Sequence, residues 1–157
     1  MSLAGKKKAT STHGLQLLKE LSDPLMARER LDLILSYIKK DPNAGKLKSR
    51  ELGNTAYHYL MHRDYPESFI ISVLNALLES CPTGIKIMNK YGCLAIHACV
   101  RRPGDISREL MAMLLNAYPE SLKVKPTTNE NPMLFLSYIK RVEPVNIDII
   151  QDMIKMC

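Results

Sequence analysis

The chain has 157 residues, 46% of them hydrophobic and 24% charged, with 22 Lys and Arg against 16 Asp and Glu for a net charge of +6. That length suits one domain able to bury roughly 70% of the surface its unfolded form exposes, and no apolar run approaches the ~20 residues that a membrane-spanning helix needs. The Lys6–Lys8 run is not followed by an apolar segment, so neither a secretory leader nor membrane insertion is expected. An intracellular site, cytoplasmic or nuclear, is expected instead, and the four cysteines read as free thiols.

Residues 1–12 read as a disordered basic tail, and the repeat domain is expected over 13–157. A first helix is predicted from about His13. A second carries the apolar set Leu33, Tyr37, Ile38 and ends before the loop KDPNAGKL at Pro42. The stretch GNTAYHYL, residues 53–60, opens the next short helix. Tyr65-Pro66 places proline near the first turn of the helix after it, where the missing N–H does no harm; that helix carries Val73, Leu77 and Leu78, and Pro82 starts its loop. GCLAIHAC, residues 92–99, opens the third pair. Gly104 ends its first helix, Asp105 is placed to cap its second, and Leu110, Leu114 and Leu115 precede Pro119. A last pair is predicted from Asn131, with Glu143-Pro144 before Ile149, Met153 and Ile154.

These elements repeat. Setting Gly53 on Gly92, a spacing of 39, aligns Ala56 with Ala95 and His58 with His97; Pro42, Pro82 and Pro119 recur at spacings of 40 and 37, each followed four places on by lysine. In all four rows the apolar set runs i, i+4, i+5, the stripe of a buried helix face. The expectation is an all-α solenoid of about four stacked helix-turn-helix units, near 13–52, 53–91, 92–130 and 131–157. Each unit gains stability by stacking on its neighbours.

Cys93, His97 and Cys99 crowd into seven positions and suggest a metal or a nucleophile. Their spacing does not match the paired ligands of structural zinc sites, and the equivalent stretch around His58 has no cysteine. No phosphate loop, nucleophile elbow, His-Glu-x-x-His or facing carboxylate pair is present. The expectation is therefore no catalytic residue, no metal, no cofactor, no small-molecule substrate and no enzyme. An enzyme using Cys93 or Cys99 stays as a minor alternative, recognisable by one fast-reacting thiol.

The frame Gly-x-x-Ala-Ile-His-Ala-Cys at 92–99, with Asn89 three places before the glycine, resembles the ankyrin repeat, whose unit is a turn plus two antiparallel helices. The resemblance covers about residues 44–157. Only Thr55 keeps the motif threonine, Phe135 replaces the last histidine, and the period is 37 to 40 against about 33 in the family; a general helical-hairpin solenoid is the fallback. In that family the motif histidine is structural and binds loop backbone, a role the resemblance gives to His58 and His97, with Gly53 and Gly92 as structural turn glycines.

The resemblance also implies that a partner protein binds the concave face, built from turn tips and the ends of the first helices. Carried across, the contact residues are Asn54, Met88, Lys90 and Tyr91 at the tips, and His62, Arg63, Arg101, Arg102 and Lys140 at the helix ends. Arg63, Arg102 and Lys140 share one column, a basic ladder of three rungs that suits an acidic segment. The same column is equally read as cations meeting the negative ends of helix dipoles. The leading expectation is a non-enzymatic protein-interaction scaffold. Its alternative is binding of a polyanion (RNA, DNA or acidic lipid) through the basic surface and the amino-terminal lysines.

Overall fold

The computed structural model describes residues 12–23, 29–102, 106–127 and 147–155. Among them are seven α-helices and no strand: α1 (Thr12–Ser22), α2 (Leu31–Lys40), α3 (Ala56–His62), α4 (Glu67–Ser80), α5 (Ala95–Arg101), α6 (Arg108–Ala117) and α7 (Ile147–Lys155). They lie in two rows. Helices α1, α3 and α5 pack successively in one row, and α2, α4, α6 and α7 in the other.

Both rows bury aliphatic side chains between them. Leu17, Leu21, Ile34, Leu60, Ile70, Leu74 and Val100 are fully buried, each stabilising the fold by about 1.5–3 kcal/mol relative to exposure. The two buried tyrosines among the described residues add directed bonds. Tyr57 Oη donates to the Cys81 carbonyl at 2.8 Å, and Tyr65 Oη donates to the Leu21 carbonyl at 2.8 Å while its ring stacks on Phe69.

The second-row helices stop in the same way three times. The last turn closes with the N–H of Asp41, Cys81 and Tyr118 donating to the carbonyls of Tyr37, Leu77 and Leu114. Pro42, Pro82 or Pro119 follows each, and the residue before a proline is forced out of the helical region; Asp41, Cys81 and Tyr118 accordingly have φ between −151° and −133°. The chain then tightens into a 3-10 turn, at Ala44–Lys46, Pro82–Lys86 and Pro119–Lys123. Sequence reading treated these segments as plain loops. Helix α6 is capped by Ser107, whose Oγ accepts from the Leu110 N–H at 3.1 Å; Asp105, expected to cap it, lies outside the described residues.

Among the described members of the predicted apolar columns, Tyr37 and Leu78 are half-buried and two are exposed. Leu33 is 36% exposed and Ile154 is 60% exposed. Both belong to terminal helices of the second row, which have a neighbour on one side only among the described residues. Asn131, Phe135, Lys140 and Gly104 also fall outside those residues. No helix among them is long and apolar enough to cross a membrane.

Candidate functional site

Between the 3-10 turns and the first-row helices the chain makes tight tips. At the first, the Ser49 N–H donates to the Asn54 carbonyl and the Asn54 N–H to Ser49 Oγ; at the second, the Asn89 N–H donates to the Cys93 carbonyl and Asn89 Oδ1 accepts from the N–H of Tyr91 and Cys93. The first tip closes through Gly53 N–H to Ser49 and the second through Gly92 N–H to Asn89. The Ser49 tip is thus one residue longer, which accounts for a proline spacing of 40 beside a glycine spacing of 39.

Successive tips are joined through main chain. The Lys90 N–H donates to the Leu52 carbonyl at 3.0 Å and the Thr127 N–H to the Tyr91 carbonyl at 3.2 Å. Glycine is required next to each acceptor for two reasons. Gly53 and Gly92 have φ of +69° and +71°, and a Cβ on Gly92 would stand 2.9 Å from the Thr127 nitrogen. L-residues pay a steric cost in that backbone region.

His58 and His97 sit buried at the starts of α3 and α5. Each Nδ1 accepts the main-chain N–H three residues back, from Thr55 at 3.2 Å and from Leu94 at 3.1 Å. This is the part a glutamate plays in a capping box. With Nδ1 accepting, the ring proton is on Nε2, which donates to the Cys93 carbonyl at 2.8 Å in His58 and to the Val124 carbonyl at 3.2 Å in His97. Burial lowers the pKa of both rings, more than the carbonyl bonds raise it, so both are neutral imidazoles at pH 7.

A groove of about 180 Å³ opens beside the His58 ring. Leu52 and Tyr91 rise from successive tips on its rim, Asn54 and Asn89 form the polar floor, and His62 and Arg101 stand at the helix ends. The floor is fixed by the Asn89 Nδ2 donating to Asn54 Oδ1 at 3.0 Å. Leu52 is 40% and Tyr91 47% exposed, and Arg101 and His62 are exposed on α5 and α3. Side chains of opposite character therefore face one concavity: an apolar rim, and the Arg101 guanidinium able to pair with a carboxylate.

The expected contact residues divide. Asn54, His62, Tyr91 and Arg101 line the groove, while Met88 and Lys90 are exposed on the second tip outside its lining. Lys90 Nζ donates to the Arg50 carbonyl at 2.7 Å. Arg102 departs from the exposed rung expected of it: the residue is 6% exposed and one of its terminal nitrogens donates to the Tyr65 carbonyl at 3.2 Å. Arg63 is half-buried, with Nε shielded from solvent and unbonded, as is Nε of Arg102. Lys140 lies outside the described residues. The described part of the column is therefore not a row of exposed cations, because the side chain of Arg102 turns in to satisfy a main-chain acceptor, Tyr65, in the segment between α3 and α4.

Asn89 was expected only as a motif residue, and Ala98, which also lines the groove, was missed. The Asn89 signal was its position three before Gly92, where a side-chain oxygen reaches the two N–H groups that follow.

Cys81, Cys93 and Cys99 are buried, and no disulfide forms among the described residues. Burial raises the thiol pKa of Cys81 and Cys93, leaving both protonated at neutral pH. Among the described residues no three of His, Cys, Asp and Glu converge as metal ligands. Comparison of the chain with protein-family models, with curated proteins and with solved structures finds no match.

Proposed function

We propose that the chain is a non-enzymatic scaffold for protein recognition, an ankyrin-like stack of about four helix-turn-helix units, that holds a partner segment in the groove between successive tips. One observation carries the reading: two exposed apolar side chains, Leu52 and Tyr91, flank a preformed polar floor with Arg101 at its end. A concave site with an apolar rim and few polar groups fits a short peptide. Arg101 presents a fork of donors that pairs a carboxylate bidentately, so the partner segment carries an Asp or Glu beside an aromatic or branched aliphatic residue.

The test is a peptide-display selection against the full chain, with anisotropy measurements on the enriched peptides. Enrichment of acidic-apolar sequences is expected. Arg101→Glu and Tyr91→Ala should each weaken binding at least ~10-fold, about 1.4 kcal/mol, with the thermal midpoint unchanged. Peptides that bind both variants as tightly as the parent would remove the groove from consideration.

A further inference from the structure

Positive charge is not spread evenly over the molecule. The three segments that follow the second-row helices, residues 42–52, 82–91 and 119–127, hold seven cations and two carboxylates, leaving them five of the chain's net charge of +6. All seven, Lys46, Lys48, Arg50, Lys86, Lys90, Lys123 and Lys125, are exposed. None is in an ion pair with a described residue.

The 3-10 turns repeat one of these charges in each segment. Lys46, Lys86 and Lys123 each end one turn. The first two turns pack against each other, and Lys86 Nζ reaches the next unit, 5.0 Å from the centre of the Tyr118 ring that precedes the third. Lys90 Nζ bridges back to the Arg50 carbonyl of the preceding tip. Lys46, Lys86 and Lys90 are thus held by neutral acceptors and a ring face. Those contacts leave the charges uncompensated.

We infer that this edge binds the sugar-phosphate backbone of a single-stranded nucleic acid. Charges repeated in three successive segments suit a polyanion that carries a charge at every residue, and six of the seven are lysines, compact point charges whose rotatable donors contact phosphates without demanding the fixed geometry of a carboxylate fork. Tyr91, exposed beside Lys90, supplies one face on which a base stacks. Binding is sequence-tolerant, because no described feature of the edge reads base edges. The lysine edge is separate from the peptide groove, since Lys46, Lys86 and Lys123 do not line it, and only Tyr91 is common to both.

The experiment is fluorescence anisotropy of a labelled 20-nucleotide oligouridylate with the full chain between 25 and 200 mM NaCl. Engagement of four to six phosphates gives a slope of log K against log salt of about −3 to −4. Lys46→Glu, Lys86→Glu and Lys123→Glu combined should lower affinity at least ~10-fold and flatten that slope, with an unchanged thermal melt. The milder Lys→Gln triple at the same positions, which adds no repulsion and keeps the test usable if the first variant folds poorly, should give a smaller loss in the same direction. Lys6→Gln, Lys7→Gln and Lys8→Gln combined should retain most binding.

No binding at 25 mM salt overturns the inference. So does a Lys→Gln triple that binds like the parent, or complete loss on changing Lys6–Lys8 alone. Equal competition by polyglutamate, or binding to phosphatidylserine vesicles without binding to the oligonucleotide, would assign the edge to a different partner and overturn it as well.

Discussion

His58 Nε2 lies 2.8 Å from the carbonyl oxygen of Cys93, 35 residues further along the chain. One imidazole therefore closes the start of α3 through Nδ1 and holds the next tip through Nε2. Replacing it leaves the buried Thr55 N–H without its acceptor, worth about 1–3 kcal/mol, and leaves the Cys93 carbonyl with the Asn89 N–H alone. His58→Ala is expected to cost ~2–4 kcal/mol in urea denaturation. A loss under about 0.5 kcal/mol would show that the ring does not hold the tip.

Acidification should destabilise the fold through the same groups. The folded-state pKa of His58 and of His97 is lowered below the ordinary 6.5, first by burial. Below pH 6.5 the unfolded chain takes up protons that the folded chain refuses, so stability present above that pH falls as pH drops toward the folded-state values. The thermal midpoint should decline from pH 7.5 to 5.5. In His58→Gln and His97→Gln the decline should be shallower, although both start from a lower midpoint.

Gly92→Ala should be more damaging than Gly53→Ala. Both positions have positive φ, but the added Cβ meets the Thr127 main-chain nitrogen at 2.9 Å in the first case and the Lys90 nitrogen at 3.2 Å in the second. The backbone term alone is about 1–2 kcal/mol. Gly92→Ala should exceed that, because the Thr127 N–H must move off the Tyr91 carbonyl. Equal losses in chemical denaturation would mean that the close approach is relaxed in solution.

Arg101 and Arg102 are adjacent, with opposite expected phenotypes. Arg102→Ala removes a bond to the Tyr65 carbonyl and buried packing, which should lower stability by about 1–3 kcal/mol. Arg101→Ala should stay within about 0.5 kcal/mol of the parent, as surface substitutions do. Thermal melts of the two variants decide it.

Thiol reactivity offers another check. Cys81, Cys93 and Cys99 are buried, and the first two are held protonated by burial. Iodoacetamide at pH 7.5 should alkylate these three at least ~10-fold more slowly than free cysteine, since the thiolate is the reactive form. Rapid, selective labelling of Cys93 or Cys99, located by peptide mapping, would revive the nucleophile reading.

Local features were legible in the residues alone. The period of Leu110, Leu114 and Leu115 marks a buried helix face, and Pro42, Pro82 and Pro119 stop helices because a proline restricts the residue before it. Gly53 and Gly92 stand where the backbone turns left-handed. The common frame of His58 and His97 pointed to a shared setting rather than a reactive one, and their Nδ1 atoms do accept equivalent N–H groups. Each of these rests on forces acting over a few bonds or one helical turn.

Which neighbours those residues meet was decided by the tertiary structure. Dipole preference places cations at the end of α5 without saying which enters the fold; the Tyr65 carbonyl, 37 residues earlier, takes Arg102 and leaves Arg101 to solvent. His58 and His97 share a frame yet reach different acceptors, Cys93 and Val124. Leu33 and Ile154 carry the apolar period but remain exposed on terminal helices. Periodicity specifies the face a helix offers, whereas burial, groove and charge alignment require a second surface, brought there only by packing distant segments together.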